Sequence, residues 1–284
     1  MKKSKLFRVL GSYIALAVMA LIISYVSFSL FIGTPKIGIV KISGFALDQV
    51  TADKVGRLLK YAKDEKNIKA VVLELDSPGG EATATEEIYL SLLELRKEKP
   101  VVVSIDMSAL SGGYYIAVAS DFIYAKPTSL VGSIGVWMRI PGPEKLQEDI
   151  MPSGPAKSTG GARRKATSWL QMVSEGFLQA VIAQRGNSLR LTKEELSQAE
   201  VYIGTEALRY GLIDKIGSRS EAVEKAASLA GLRNYQEVDI NKELDLLLPY
   251  SRFFFYELSP GEKDLSSAKS VYPQYYYLDI RARK

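Results

Sequence analysis

Two near-continuous apolar runs most constrain the fold of this chain. They read KAVVLEL at Lys69–Leu75 and VVVSI at Val101–Ile105. Neither run shows the alternation of a strand with one wet face, so each strand is expected to be buried on both sides, as in a parallel sheet. The segment between them, Thr83–Lys97, carries isoleucine and leucine at helical spacing. The order strand, helix, strand predicts a parallel sheet with right-handed crossovers.

The same alternation continues along the chain. Further strands are predicted at Ile37–Ile42, Phe122–Ala125 and Glu237–Ile240. Further helices are predicted at Thr51–Lys63 with Thr51 as N-cap, Gly112–Ala119, Ala166–Gln184, Thr192–Ala199 and Ser220–Leu229. Thr192 and Glu195 form a Thr-x-x-Glu capping box. The glycine- and proline-rich stretch Val131–Ala162 predicts little regular structure.

The N-terminal region carries a long uncharged segment. Val9–Ile32 is apolar and long enough to cross a hydrocarbon core of ~30 Å as a helix. It exceeds the apolar region of a cleavable signal, and no small-x-small cleavage site follows it. Four basic residues precede it and favour a cytoplasmic N-terminus. We therefore expect a single-pass anchor in the cell membrane, the lipid bilayer as a partner, and the rest of the chain on the outer side.

Composition excludes several kinds of chemistry. The 284 residues include no histidine and no cysteine, which rules out a Ser-His-Asp triad, a cysteine nucleophile and a His-ligated metal. We expect no metal and no cofactor. The formal net charge of +5 is spread along the chain, and no basic stripe is interleaved with aromatic residues. A nucleic-acid partner is therefore not expected.

A first glycine string, DSPGG at Asp76–Gly80, follows the first apolar run. Pro78 fixes its own φ, and the glycines tolerate angles and close approaches that side chains forbid. Backbone N–H groups of Gly79 and Gly80 at such a turn can point at a developing oxyanion. The alternative is an ordinary strand-to-helix turn, in which Pro-Gly is common.

A second glycine string, SALSGGYY at Ser108–Tyr115, follows the second apolar run. It places Ser111 at the start of a predicted helix, where the Gly112 N–H and the helix dipole favour an anion. This arrangement suits a serine nucleophile. The alternative is that Ser111 or Ser108 is only a helix N-cap.

Together with three more strings, these motifs resemble a known family. The others are A-S-D at 119–121, G-S-I-G-V at 132–136, and G-x-x-A-x-x-x-G-L-I-D at 204–214, the last followed by Ile216 and Gly217. Over Ile37–Leu232 the sequence resembles the signal peptide peptidase A family of membrane-anchored serine proteases, in the Clp protease and crotonase superfamily. The resemblance implies an α/β fold with a repeated ββα core, a parallel sheet, a helical second portion and an N-terminal transmembrane helix. The implied division is a basic segment at 1–8, an anchor at 9–34, a Clp-like protease domain at 35–240 and an aromatic-rich tail at 241–284.

The resemblance also assigns roles at the two glycine strings. It implies that Ser111 is the nucleophile. It implies that Gly80, with Gly79, and Gly112 supply the oxyanion-hole N–H groups.

The family's general base is a lysine some fifty residues beyond the serine. Lys165 lies 54 residues beyond Ser111 (165 − 111) and is the expected base. The match departs from the family pattern, since Arg164 precedes Lys165 and no proline follows shortly after. Lys157 and Lys145 therefore remain candidates. Whichever lysine serves must have its pKa lowered by burial or by a neighbouring cation to act as a base.

The third string contributes groove residues by the same resemblance. Val131, Ile134 and Val136 are expected to line a substrate pocket, with core packing as the equal alternative. Ser133 and Gly135 are expected either to orient the base or to line the groove.

The function implied is a membrane-anchored serine endopeptidase that hydrolyses apolar peptides, such as signal-peptide remnants, and assembles as a homo-oligomer. One rival is a crotonase-like acyl-CoA enzyme, for which Glu81 and Glu86 are the nearby acids. Another is a non-catalytic anchored ring that scaffolds other membrane proteins.

Three hypotheses describe where the aromatic tail lies. Tyr272 and Tyr275–Tyr277 beside Pro273 are expected to lie in a neighbouring subunit's groove as a substrate mimic, to touch the membrane interface, or to dock on the body of the protein.

Overall fold

The strands form one large sheet and one small one. The computed structural model describes residues 13–22, 24, 34–43, 46–139, 163–247 and 274–277. Its strands are β1 (Lys36–Ser43), β2 (Ile68–Ser77), β3 (Gly80–Glu81), β4 (Val101–Leu110), β5 (Phe122–Ala125), β6 (Leu130–Gly132), β7 (Trp137–Arg139), β8 (Val201–Ile203), β9 (Lys215–Ile216), β10 (Gln236–Asp239) and β11 (Gln274–Tyr277). Its helices are α1 (Gln49–Asp64), α2 (Ala82–Arg96), α3 (Gly112–Ala117), α4 (Arg163–Arg185), α5 (Lys193–Leu196), α6 (Gly204–Arg209), α7 (Arg219–Leu229) and α8 (Ile240–Leu247).

The large sheet has the order β10-β1-β2-β4-β5-β9, with β6 beside the end of β4 and β8 beside β6. All of these pairs are parallel except β6 with β8. The two apolar runs of the sequence are neighbours, since Val71 pairs with Val101 and Leu75 with Ile105. The predicted mixed α/β fold with a parallel sheet is thus confirmed.

The core lies on both faces of this sheet, which explains the unbroken apolar runs. Ala70 and Val72 of β2 belong to a cluster with α7 residues on one face. Val71 and Leu73 belong to a larger cluster with α1, α2 and α3 on the other. Because successive side chains of a strand alternate in direction, a strand that is covered on both faces carries consecutive apolar residues, as 70–73 do here.

The first residues of α1 and α5 test the predicted N-caps. Asp48 is the N-cap of α1, and its carboxylate accepts from the Thr51 N–H at 2.9 Å. The prediction of Thr51 as the N-cap is therefore wrong, since an acidic cap three residues earlier fills that role. The capping box of Thr192 and Glu195 is present at α5, as predicted.

The N-terminal segment is described only in part. Residues 13–22 are helical, and the large apolar side chains among them are solvent-exposed. No helix among the described residues combines the length and the hydropathy that a membrane span requires. The rest of the predicted anchor at 9–34, apart from positions 24 and 34, lies outside the described residues, as does 140–162 with Lys145 and Lys157.

The beginning of the tail packs against the body. In α8, the Glu243 carboxylate accepts from Lys36 Nζ at 3.1 Å and from the Tyr61 hydroxyl at 2.9 Å, and Ile240 is fully buried. Strand β11, farther along the tail, joins β3 and β7 in the small sheet and is not part of the large one.

Candidate active site

Ser111 sits at the junction of β4 and α3 in a strained conformation. Its φ is +51°, a region that costs a non-glycine residue about 1–3 kcal/mol. The residue is fully buried, and its N–H donates to the Gly132 carbonyl at 2.8 Å. It occupies the N-cap position, but its side chain makes no capping hydrogen bond. The hydroxyl donates instead to the Gly135 carbonyl at 3.4 Å, so the capping role does not account for this serine.

Ser108, the other candidate N-cap, has a different partner. Its hydroxyl and its backbone N–H both lie 3.0 Å from the Asp76 carboxylate. This pair ties the end of β4 to the end of β2 and brings the two glycine strings together.

Close packing fixes the helix that begins after Ser111. A Cβ at Gly113 would lie 2.6 Å from the Ser77 carbonyl oxygen, so only glycine lets α3 approach the first string this closely. The buried Tyr114 hydroxyl donates to the Leu212 carbonyl at 2.8 Å, and burial raises the pKa of Tyr114. The phenol therefore stays protonated and keeps its donor role.

Aromatic contacts hold the same helix from the other side. Tyr115 stacks on Tyr89 of α2 with ring centroids 4.5 Å apart and meets Phe177 of α4 edge-on at 4.9 Å. Burial raises the pKa of Tyr115 to about 12. Helices α2 and α4 thus both contact α3, the helix that begins after Ser111.

The two glycines of the first string are not equivalent. The Gly79 N–H donates to the Ser77 hydroxyl at 3.2 Å, and its carbonyl accepts from the Leu47 N–H at 2.9 Å. A Cβ at Gly80 would collide with the Leu47 backbone. The Glu81 N–H donates to the Leu47 carbonyl at 2.7 Å, and successive amides of a strand point to opposite sides. The Gly80 N–H therefore points away from Leu47, toward the side on which β11 pairs with Gly80, whereas the Gly79 N–H is engaged within its own turn.

Ser111 and the helix that begins after it contact the segments that form β3 and β7. Gly135, which accepts from the Ser111 hydroxyl, leads directly into β7, and α3 contacts β3 on the other side. Gly112, the first residue of α3, has an N–H with no hydrogen-bond partner in the part of the chain that is described. The hydroxyl of Ser111 and the N–H groups of Gly80 and Gly112 therefore belong to one small region.

The predicted base is placed apart from this region. Lys165 lies in the first turn of α4, exposed, with its Nζ 4.7 Å from the centroid of the Trp169 ring. Among the described residues, no contact joins Lys165 to Ser111. The structure of a single chain does not bring these two residues together.

The apolar residues of the third string pack in or against the core. Val131 and Ile134 are buried in the main core, and Val136 is half-buried against it, which supports core packing for the first two. Ser133 has a φ of +53°, and its N–H donates to the Glu200 carbonyl at 2.7 Å. The contact of Gly135 with Ser111 was missed, because a carbonyl oxygen leaves no mark in a sequence beyond the motif that contains it.

Two carboxyl groups of the segment formed by β3 and α2 have raised pKa values. Burial raises the pKa of Glu86, and burial together with the charge of Asp48 raises the pKa of Glu81. These are the two acids that an acyl-CoA enzyme would require. Neither has a described hydrogen bond to Ser111.

Comparison with known proteins points to one family. The family model of peptidase family S49 matches residues 94–233 of the chain. The chain is 34% identical over 217 residues to Protease 4 of Haemophilus influenzae, covering 70% of this chain and 35% of that protein. It is 32% identical over 211 residues to a candidate protease, slr0021, of Synechocystis sp., covering 69% and 75%. It is 30% identical over 216 residues to the chloroplastic serine protease SPPA of Arabidopsis thaliana, covering 70% and 30%. The chain thus spans about a third of the first and third of these relatives.

Proposed function

Because the chain belongs to peptidase family S49, the signal peptide peptidase A family, we propose that it is a serine endopeptidase with Ser111 as the nucleophile. The observation that carries the proposal is the strained, buried Ser111, whose hydroxyl does not cap its helix. Backbone strain of this kind persists only where the surrounding structure enforces it, and it is concentrated at active sites and ligand-binding sites. The interlocked packing of Gly113 and Tyr114 supplies that support.

The reaction would proceed through an acyl-enzyme. The Ser111 oxygen attacks the scissile carbonyl while its proton passes to a neutral lysine amine. The N–H groups of Gly80 and Gly112 hold the oxyanion, as preorganised donors do in acyl transfer. The lysine then protonates the departing amine, and water, activated by the same lysine, hydrolyses the acyl-enzyme.

For the base we keep Lys165 as the leading candidate and Lys157 and Lys145 as alternatives. Lys165 is exposed in the single chain. To act as a base, its amine must be shielded from water by a contact that the single chain does not provide, because desolvation favours the neutral amine. Contact with a second copy of the chain would achieve this and would place the lysine of one subunit beside the serine of another. We therefore propose a homo-oligomer as the active form.

The substrates we propose are extended, apolar peptides such as signal-peptide remnants, met at the membrane. Support for the membrane comes from residues 13–22, where Ile14, Leu16 and Leu21 are 58%, 60% and 70% exposed on a helical stretch. Such a surface suits contact with lipid. The anchor would span 9–34, with a cytoplasmic N-terminus and the catalytic domain on the outer side.

The direct test is peptide cleavage by the full-length protein in detergent. We expect wild type to cleave a quenched fluorescent apolar peptide and Ser111→Ala to lose that activity by at least about a thousandfold. Equal cleavage by both proteins would refute the assignment. For the anchor, alkaline carbonate washing of membranes should leave the protein in the pellet, and its release would contradict a membrane span.

A further inference from the structure

Strand β4 carries a bulge shortly before it delivers Ser111. The pairing of β2 with β4 is regular up to Leu75 and Ile105, and it resumes at Ser77 and Ala109. One residue of β2 therefore lies opposite three residues of β4, which form the bulge. A bulge bends its strand and redirects the side chains that follow, and bulges are common beside active sites. Ser111 is the second residue after the regular pairing resumes.

Asp76 is the single β2 residue opposite this bulge. Its Oδ1 accepts from both the N–H and the hydroxyl of Ser108, each at 3.0 Å. The carboxylate thus takes the place of the strand carbonyl that would accept from the Ser108 N–H in a regular ladder. In the described part of the chain, the hydrogen bonds of this carboxylate come from Ser108 and not from the Ser111 hydroxyl. Asp76 therefore acts on the bulge and not on the reacting group.

The bulge is also held from its other side. The Ser129 hydroxyl, in a residue that is 2% exposed, donates to the Asp106 carbonyl at 2.7 Å. The Asp106 carboxylate, by contrast, is exposed and pairs with Lys126. At the bulge β4 also changes its neighbour, since it pairs with β5 up to Ile105 and with β6 from Ser108 onward. The register of the last residues of β4 therefore depends on how the bulge is held.

The contacts that position Ser111 all depend on that register. Ala109 pairs with Ser77, and the Ser111 N–H donates to the Gly132 carbonyl at 2.8 Å. A Cβ at Gly113 would lie 2.6 Å from the Ser77 carbonyl oxygen, so α3 fits against β2 in one position only. A slip of β4 by one residue would break these contacts together.

We propose that Asp76 is a positioning residue for the nucleophile. Its carboxylate holds Ser108, and with it the bulge, in the register that sets the Ser111 hydroxyl. The inference rests on the proposed function, since it takes Ser111 as the reacting group. Loss of the Asp76 carboxylate should misplace the hydroxyl and slow the chemical step, while peptide binding and hence KM stay unchanged.

The kinetic test uses the full-length protein in detergent and a fluorogenic apolar peptide. We expect Asp76→Ala to lower kcat by about 10- to 100-fold and to leave KM within about twofold of wild type. Asp76→Asn keeps an acceptor oxygen with two lone pairs and should retain at least about a third of the wild-type kcat. The matched control is Asp106→Ala, which removes the exposed carboxylate of the same bulge and should leave kcat unchanged. A wild-type kcat for Asp76→Ala, or an Asn variant as slow as the Ala variant, would overturn the inference.

Ser108→Ala tests the contact from its other end. It removes the hydroxyl donor and keeps the N–H donor, so kcat should fall less, by about threefold, with KM unchanged. In the Asp76→Ala background the same change should cost nothing more, because its partner is already gone. Additive losses in the double variant would overturn the inference. An unchanged kcat for Ser108→Ala alone would also overturn it, and this variant carries the test if Asp76→Ala does not fold.

Amide hydrogen exchange separates this inference from the proposed function, because it requires no catalysis. We expect the peptide spanning 106–112 to exchange faster in Asp76→Ala than in wild type, since the bulge loses its acceptor. Asp106→Ala should exchange like wild type. Equal exchange in Asp76→Ala and wild type would overturn the inference. Absence of cleavage by wild type would count against the proposed function, and exchange would then decide whether Asp76 holds the bulge.

Discussion

The hydroxyl of Ser111 donates to the carbonyl oxygen of Gly135 at 3.4 Å. The contact joins the start of α3, where the proposed nucleophile lies, to the turn that leads into β7. It therefore couples the position of the Ser111 hydroxyl to β7, and a small shift of the turn should displace that hydroxyl.

Replacing Gly135 tests this relationship. A Cβ at this position would lie 2.9 Å from the Ala199 Cβ, so Gly135→Ala must shift the turn. We expect kcat for peptide cleavage to fall by about 10- to 100-fold, since displacements of this size misalign reacting groups. Ala199→Gly in the same chain removes the obstructing methyl, and glycine also suits the φ of +54° at that site. The double variant should regain most of the activity, and failure of this rescue would argue against a positional role for the turn.

The ion pair of Arg185 and Asp214 should be the costliest polar interaction to break. Arg185 Nη2 lies 2.8 Å from Asp214 Oδ1, with both side chains largely buried. The Asp214 carboxylate also accepts from the Ile123 N–H at 2.7 Å. Asp214→Asn leaves the guanidinium buried without its counter-charge and should lower the free energy of unfolding by about 3 kcal/mol.

A surface pair supplies the control for that measurement. Asp64 pairs with Lys60 on the exposed side of α1, and Asp64→Asn should change stability little, because solvent screens such pairs. Urea denaturation of both variants measures the difference. Equal losses would show that burial does not distinguish the two pairs.

Stability near Glu81 should depend on pH in a defined direction. Burial and the charge of Asp48 raise the pKa of this carboxyl. The folded chain therefore binds its proton more tightly than the unfolded chain, and stability falls as pH rises from the ordinary carboxyl value through the raised one. Glu81→Gln removes this loss. As pH rises between the ordinary and the raised carboxyl pKa, the variant should become more stable than wild type, and below both pKa values the two proteins should be equally stable. Urea unfolding at a series of pH values measures the gain.

Glu94 gives the opposite sign. Its hydrogen bond with Lys63 lowers its pKa, so its contribution is present above the ordinary carboxyl value and lost as pH falls through the lowered one. At pH values above the ordinary carboxyl pKa, Glu94→Gln should therefore be less stable than wild type. The difference should be small because the pair is exposed. The same sign for both variants would contradict these assignments.

Mixing inactive chains tests whether one site is built from two subunits. Ser111→Ala and Lys165→Ala chains would each be inactive alone. If serine and lysine come from different copies, oligomers reassembled from equal amounts should regain about a quarter of wild-type activity. Lys157→Ala in place of Lys165→Ala tests the alternative base by the same assay. No recovery with either lysine variant would place both groups in one chain or exclude these lysines.

The sequence predicted the large sheet well, because burial on both faces leaves an unambiguous apolar run in β2 and β4. It placed the end of β4 too early, at Ile105. The strand continues to Leu110 through residues 106–108, whose exposed or half-buried side chains break the apolar pattern. The backbone of Ser108–Leu110 pairs with β6.

The active-site region was predictable in part. The position of Ser111 before a helix follows from its neighbours, but its strained φ and the acceptor carbonyl of Gly135 are backbone properties that residue types do not encode. The pairing of β11 with β3 joins segments almost two hundred residues apart through backbone groups alone. No periodicity in the sequence could have indicated that contact.

Covalent labelling of Ser111 tests the central claim most directly. The full-length protein is treated with a fluorophosphonate that reacts only with activated serines, and the adduct is mapped by peptide mass spectrometry. If Ser111 is the nucleophile, one adduct should form at Ser111 and should be lost in Ser111→Ala. The adduct should be retained in Ser108→Ala, because the Ser108 hydroxyl of the wild type is hydrogen-bonded to Asp76 and is not the reacting group. Labelling at another serine, or no labelling of a protein that still cleaves peptides, would contradict it.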